Sequence, residues 1–461
     1  MRISELMKNK EQYINETITI NGWLRNKRVS KNVSFLMIND GSCFDVLQIV
    51  YKDLENQEEI NKLLVASAVK ITGVVKETNK ENQPIEIEAK KIEILAESEE
   101  DYPIQPKKHT MEFLRENAHL RARTNTFNAV FKIRSLLSYA LHDFFNKEGF
   151  VMLHAPILTS SDAEGAGEMF QVTTLELEEL NKKEPLNYHD DFFNKKVNLT
   201  VSGQLLAEAY ALAFGKVYTF GPTFRAEKSN TKKHAAEFWM LEPEIAFASL
   251  EDIIELAKNM LIYSIEYVLE HGKKELEFLN SINEIDIIKR LEKIVNADFA
   301  RVTYTEAVKI LEKEVAENKV TFENPVYYGV DLATEHEKYL TDVIYDGPVF
   351  VTDYPKEIKA FYMKNNDDGK TVAATDLLVP NIGEMIGGSQ REVRYDVLVE
   401  KMKEFNLDVE EYDWYLDLRR YGGVDHAGFG LGFERLIMYV TGIENIRDVI
   451  PFPRTVKNCD Y

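Results

Sequence analysis

Strand-like and helix-like periodicities occupy separate blocks of this 461-residue chain, and that separation limits its architecture more than any single motif does. Strict alternation of the two would require a doubly wound parallel sheet. Segregated blocks instead predict α+β, with an antiparallel sheet flanked by helices. Helical spacing at Phe127, Val130, Phe131, Arg134, Leu137, Leu141, Phe144 and Phe145 predicts a long amphipathic helix over 127–147, with Gly149 as its stop. The extended run FVMLHAPILTS follows, and its Pro156 restricts it to a sheet edge or an interface. Ser249 with Asp252, and Thr303 with Glu306, have capping-box spacing at the starts of two helices in a helical segment over about 250–345. From Gly347 strands return as GPVFVTDY, KAFYMK, TVAATDLLVP and GEMIGGS.

Residues 15–98 read differently. Five short strand runs with turn punctuation, and one helical interruption near NQEEINKLLVA, predict a small closed barrel of the OB type over 1–102. A β-sandwich has the same period of two and stays open as an alternative. Pro103 and Pro106 mark a linker over 103–126, which leaves 127–461 as the larger domain.

Composition narrows the setting. No uninterrupted apolar stretch reaches about 18 residues, and the N-terminus lacks an apolar signal core, so neither a membrane span nor secretion is expected. The two cysteines, Cys43 and Cys459, lie far apart and without a CxxC partner. That argues against a disulfide framework or structural zinc and fits a cytoplasmic protein. The net charge of −21 seems to disfavour a nucleic-acid partner, but residues 1–34 hold seven basic side chains against three acidic ones.

Three clusters carry candidate chemistry. In the first, Phe224–Glu244, two strands flank a polar loop. Arg225 offers a planar fork for a carboxylate and a phosphate, Phe238 a stacking surface for a flat ring, and Glu227 an acceptor for an exocyclic amine. Lys228, Lys232, Lys233 and His234 add positive charge suited to polyphosphate or RNA. In the second, glycines at 428, 430 and 432 allow close backbone approach to a ligand, and Arg435 falls in the first turn of the helix that follows. In the third, Asp376 and Glu384 flank a tight segment and could hold Mg²⁺, with Arg391 close behind. Taken singly, these read equally well as a solvated hairpin, a common glycine turn and two turn-capping acids.

Taken in order, they resemble class II aminoacyl-tRNA synthetases of the aspartyl/asparaginyl/lysyl subgroup. LRARTNTFNAVFKIRS with GFVMLHAPILT resembles that family's first motif, FRAEKSNTKKHAAEFWMLEPE its second and GLGFERLIMYVTG its third; the ending NIRDVIPFPRT resembles the asparaginyl branch. The resemblance covers nearly the whole chain. It implies ATP-dependent attachment of L-asparagine to tRNA(Asn) through an adenylate. Arg225 and Arg435 would stabilise the reacting phosphates; Glu227 and Phe238 would recognise adenine; His234 would sit near the β- and γ-phosphates. Glu384 with Asp376 would bind Mg²⁺, although their interval is one residue longer than in the aspartyl pattern. Ser202, Gln204, Arg391 and His426 would line the amino-acid site.

Asparagine is preferred over aspartate on one substitution. Where the aspartyl pattern SPQLxKQ supplies a lysine, this chain has Ala207, followed by Glu208. Losing a cation while keeping Arg391 suits an amide better than a carboxylate. Glu237, Glu242 and Glu208 are the candidate acids for the amide NH₂, and Glu242 is also a candidate for the α-ammonium. In the barrel, the resemblance implies that Phe35 stacks on an anticodon base, that Gln48, Glu86 and Glu88 read base edges, and that Arg25, Lys27 and Arg28 meet phosphates. It further implies a homodimer formed through the first motif. Rival readings are an aspartyl-tRNA synthetase, strict or also charging the asparagine tRNA, an amide ligase on the same core, and a non-catalytic OB-type RNA-binding protein.

Overall fold

The computed structural model describes residues 1–163, 168–176, 178, 187–229 and 231–461. The chain divides into two compact units, Met1–Ala129 and Val130–Tyr461. Among the described residues no helix is long and apolar enough to cross a membrane.

In the first unit, strands Thr17–Arg28, Ser34–Asn39, Leu47–Tyr51, Gln83–Ala96 and Ala68–Lys80 close into a barrel in that spatial order. The alternation seen in the sequence is the inside/outside alternation of the pleat. Ile18, Ile20 and Leu24 point inward from the first strand and Leu36 and Ile38 from the second, and Ile49, Ile71 and Ile87 complete the interior. Each such aliphatic side chain contributes about 1.5–3 kcal/mol when fully removed from water. The helical interruption is the single short helix Gln57–Lys62. Between 103 and 126 the chain forms two short helices, Met111–Glu116 and Ala118–Arg121, the first capped by Thr110 Oγ1, which accepts from the Phe113 amide.

The second unit is built on an eight-stranded sheet. Its order is Ala300–Thr303, Val349–Pro355, Thr371–Val379, Gly383–Gln390, His426–Gly432, Glu237–Ala246, Lys216–Phe224 and Val151–Met152. The six central strands are antiparallel, as expected, but each edge strand runs parallel to its neighbour, so the sheet is mixed. The reason is connectivity: parallel neighbours need a crossover. Helix Gln204–Phe214 lies within the first crossover and helix Tyr304–Ala316 within the second.

Other departures from expectation are local. The helical segment at 250–345 also contains the edge strand Ala300–Thr303. KAFYMK is not a strand: Met363 makes only an isolated bridge to Arg391, because Phe361 turns away into a separate buried cluster with Tyr412 and Tyr415. FVMLHAPILTS splits into the edge strand Val151–Met152 and Leu158–Thr159 of a small three-stranded sheet, and Pro156 lies in neither. The long helix runs Asn125–Lys147, and both capping boxes are formed as read.

Candidate active site

Strand His426–Gly432 lies between Gly383–Gln390 and Glu237–Ala246, so its alternate residues form the middle of one sheet face. That face carries Gly428, Gly430 and Gly432. A Cβ on Gly430 would stand 2.8 Å from the Met240 side chain, and one on Gly428 would collide with the Glu244 carboxylate and the Pro243 carbonyl. The glycines therefore keep the floor flat, and alternation brings Asp376, Gly387, Ser389, Phe238, Met240, Glu242 and Glu244 to the same side. Helix Phe433–Thr441 starts directly after Gly432, which sets Arg435 in its first turn. Glu434 beside it accepts from the Trp239 amide at 2.9 Å and pairs with Arg134 at 2.8 Å, tying this helix to the neighbouring strand and to the long helix.

A cavity of about 480 Å³ opens on this floor, lined by Arg225, Glu227, His234, Phe238, Asp376, Glu384 and Arg435. These are the seven residues read from the sequence for ATP and metal, and the fold gathers all of them. A cavity of this size suits a small ligand. Arg225 follows the last residue of strand Lys216–Phe224. Its amide donates to Ala236 O at 3.0 Å and its guanidinium lies 5.5 Å from the Phe238 ring centre. Glu227 stands between Arg225 and His234, 4.0 and 3.9 Å from their nitrogens, while His234 Nδ1 meets Thr231 Oγ1 at 2.6 Å. Arg435 Nη1 donates to Glu384 O at 2.6 Å and lies 3.5 Å from its carboxylate.

The two acids of the third cluster converge. A Cβ at Gly387 would stand 3.2 Å from Glu384 Oε1 and 3.3 Å from Asp376 Oδ1, so the missing side chain leaves room between the carboxylates. A bulge explains how. Leu377 pairs with Ile386 but Leu378 pairs with Glu384, leaving Met385 as an extra residue. Counted from Gly387 with a period of two, residue 384 would fall on the far face; the extra residue returns its carboxylate to the side of Asp376. Lys359 Nζ holds Asp376 Oδ2 at 2.7 Å, leaving Oδ1 toward Gly387. Burial works to raise both carboxyls. Arg435 and Lys359 overcome it at Glu384, holding it below the usual carboxylate range, whereas Asp376 stays above it despite Lys359.

Sequence reasoning missed three contributors here. Lys359, whose Nζ lies 3.9 Å from the Tyr354 ring centre, Tyr354 itself, and Glu337, which accepts from the Glu384 amide at 3.1 Å, arrive from segments with no motif of their own. Burial, reinforced by the charge of Glu384, pushes Glu337 up to about 7. Gly383, at φ +89°, is required beside it, because a Cβ there would strike the Glu337 carboxylate.

Beyond Met240 the same face becomes a buried polar cluster. Glu242 accepts from Gly203 N at 2.9 Å, Thr219 Oγ1 at 3.2 Å and, closer still, Ser202 Oγ; burial dominates and raises its pKa. Arg391 is buried but keeps 2% of its surface exposed, whereas Glu208 keeps none. Arg391 grips Glu244 through Nε at 3.2 Å and again through Nη2, and donates from Nη1 to Ser389 at 2.8 Å. Burial brings Glu244 up to about 7 against the pull of Arg391. Glu208 is enclosed with Gln204, Tyr415, Arg419 and His426. Glu237 does not join them: counted from Phe238 and Glu242 along the strand, it belongs to the opposite face, and it does not line the cavity. Glu244 was legible by that same count, two residues beyond Glu242. Arg419 and Tyr415 carried no signal.

On the barrel, Phe35, Gln48, Glu86 and Glu88 share the outer face of three adjacent strands, while their neighbours Leu36, Ile49 and Ile87 fill the interior. Gln48 Nε2 donates to Glu86 at 2.8 Å. Arg28 pairs with Phe35 on that face and is exposed. Lys27 is not with them. A register shift between Leu24 and Asn26 pairs it with Leu36 instead, and its ammonium donates to Asn61 O at 2.6 Å. Arg25, half-buried, donates to Asn125 at 3.4 Å, and burial lowers its pKa.

The family model for class II tRNA synthetases (D, K and N) matches residues 110–456, and that for the OB-fold nucleic acid binding domain matches 18–95. The asparagine–tRNA ligase of Desulfitobacterium hafniense is 57% identical, and that of Bacillus thuringiensis 56%, over all of this chain and 99% of each relative. The crystal structure of asparaginyl-tRNA synthetase from Pyrococcus horikoshii complexed with asparaginyl-adenylate superposes with a TM-score of 0.86 at 33% identity, covering 99% of this chain and 98% of that one. With a family model over 110–456 and relatives of this identity over the whole chain, the chain belongs to the class II tRNA synthetases (D, K and N).

Proposed function

We propose that the protein activates L-asparagine with ATP and transfers it to tRNA(Asn). The asparagine carboxylate attacks the α-phosphorus in line, the bond to the bridging oxygen breaks, and pyrophosphate leaves. A ribose hydroxyl of the tRNA's terminal adenosine then attacks the adenylate carbonyl, and AMP leaves with the bonding pair. No covalent enzyme intermediate is needed, so positioning and electrostatics carry the catalysis. Arg225 would meet both the substrate carboxylate and the α-phosphate, with adenine stacked on Phe238 and Glu227 at its amine. Arg435 and His234 would hold the outer phosphates.

The observation that carries the choice of asparagine is the buried cluster around Arg391. Its guanidinium is already neutralised by Glu244, and position 207, where the aspartyl pattern places a lysine, is an alanine buried against Ala211 and Val217. The relatives named above, called asparagine–tRNA ligases, support the same choice. ATP–pyrophosphate exchange tests it. Asparagine should drive exchange, and aspartate should do so at least ~10²-fold less efficiently, because a buried carboxylate without a dedicated cation is costly. Exchange with aspartate alone would reverse the assignment.

Mg²⁺ fits the third cluster. Among the described residues no group of three or more His, Cys, Asp or Glu side chains forms a metal cage, and Mg²⁺ does not need one: it binds one or two carboxylates plus substrate phosphates. Glu384 and Asp376 would hold it through the carboxylate oxygens that converge on Gly387, and the ion would neutralise phosphate charge. The outer barrel face with Phe35 would meet the anticodon by stacking, with Gln48, Glu86 and Glu88 at base edges and Arg28 at phosphate. The chain would act as a homodimer, which light scattering would read as twice its 53.2 kDa; the chain mass alone would contradict this.

A further inference from the structure

Glu208 lies at the centre of the buried cluster, and its carboxylate is fully engaged there. Oε1 accepts from Gln204 Nε2 at 3.0 Å and lies 3.9 Å from Arg391 Nε. Oε2 accepts from Tyr415 OH at 2.7 Å and Arg419 Nη2 at 3.0 Å, and meets His426 Nε2 at 2.9 Å. The side chain has no exposure at all, so it cannot reach the amide of a substrate. His426 Nδ1 faces the Val424 carbonyl at 2.8 Å, and Nε2 faces the Glu208 carboxylate. Two guanidinium groups, Arg391 and Arg419, thus share two buried carboxylates, Glu208 and Glu244. Burial opposes ionisation of Glu208, but the His426 hydrogen bond and the Arg419 charge hold it below the usual carboxylate range.

We propose that Glu208 is a positioning residue that sets the preference for asparagine over aspartate, by cancelling beneath Arg391 the positive charge that would otherwise attract a substrate carboxylate. The inference rests on the asparagine reading above. It assigns the second half of the Ala207–Glu208 substitution a role: the alanine withholds a cation from the pocket, and the glutamate neutralises those that remain. With glutamine at 208, two guanidinium groups would face one carboxylate. The net field at Arg391 would then favour the charged substrate, as buried charge pairs dominate such choices.

The test is ATP–pyrophosphate exchange by the full chain, with asparagine and aspartate each titrated and the KM for ATP as a control on site integrity. In Glu208→Gln, kcat/KM for asparagine relative to aspartate should fall at least ~10-fold, through a higher KM for asparagine and a lower one for aspartate, with the KM for ATP changed less than about threefold. Glu208→Asp keeps the charge and should hold that ratio within about threefold of the unmodified protein. If both amino acids lose efficiency equally in Glu208→Gln, the proposal is overturned and Glu208 is a structural residue only. Should that variant not fold, Tyr415→Phe carries the test. It removes one donor from Glu208 and should lower the ratio about threefold; an unchanged ratio would overturn the proposal. An unmodified protein that shows no asparagine-dependent exchange would instead refute the asparagine reading itself, whatever the variants do.

Discussion

Arg225→Ala is expected to reduce amino-acid-dependent ATP–pyrophosphate exchange by roughly 10³-fold or more, since removing one preorganised donor to developing charge already costs 10²–10³. Arg225 would serve two partners, the attacking carboxylate and the phosphorus it attacks. Its loss therefore removes both orientation and charge stabilisation, and kcat should fall with kcat/KM. The fold should survive, because Arg225 is partly exposed at a strand end and its backbone bond to Ala236 does not depend on the side chain. The Kd for tRNA should stay within about threefold of the unmodified protein, since on the proposed reading phosphate and stacking contacts on the barrel would carry most of that affinity. Phe35→Ala provides the reciprocal case: exchange unchanged and the KM for tRNA raised. If Arg225→Ala exchanged normally, the second motif would be misassigned.

Arg391→Met combines a loss of recognition with a loss of stability. Arg391, Glu244 and Glu208 are all buried, and removing one partner of such an ion cluster costs about 3–5 kcal/mol because charge is left uncompensated. Thermal unfolding should show that cost directly, alongside a large rise in the KM for asparagine. The loss should depend on pH. Glu244 already has a folded-state pKa raised to about 7, and Arg391 is the group that restrains it. A carboxyl raised in the folded state binds more protons there than in the unfolded chain, so its effect on stability worsens as pH climbs from the ordinary carboxylate range through the folded pKa. Without Arg391 the folded pKa rises further. The variant should therefore be closer to the unmodified protein at pH 5 than at pH 8. An equal gap at both would mean that Glu244 is not left unpaired. Arg391→Lys should recover little, because an ammonium cannot reproduce the two-nitrogen grip on Glu244 together with the bond to Ser389.

The five barrel strands were legible in the sequence because one face of each is solvated and the other buried, so hydrophobicity alternates; closure into a barrel rather than a sandwich is a matter of pairing that alternation does not carry. The long helix and both capping boxes were legible for the same reason: their signals are local. What stayed hidden depends on partners far along the chain. Ala300–Thr303 is only four residues long, sits among helices and becomes a strand through pairing with Val349–Pro355. The bulge at Met385, which turns Glu384 toward Asp376, is a property of the paired register and leaves no mark in composition. Lys359 and Glu337 reach the cavity from segments chosen by topology rather than by motif. Glu237 shows the opposite kind of failure: the parity that excludes it was countable from its own strand, but its place among other acids in the second motif outweighed the count. Lys27 leaves the face of Arg28 through an irregularity between Leu24 and Asn26 that no local pattern marks.

The central claim is that a nucleotide and a free amino acid meet on the glycine floor between Arg225 and Arg391. A crystal structure of the protein with asparagine and a non-hydrolysable ATP analogue tests it most directly. The account predicts the Arg225 guanidinium within hydrogen-bond distance of both the α-phosphate and the asparagine carboxylate, with the adenine ring against Phe238 and the side-chain amide oxygen at Arg391. Ligand density elsewhere, with both arginines unengaged by either molecule, would contradict it.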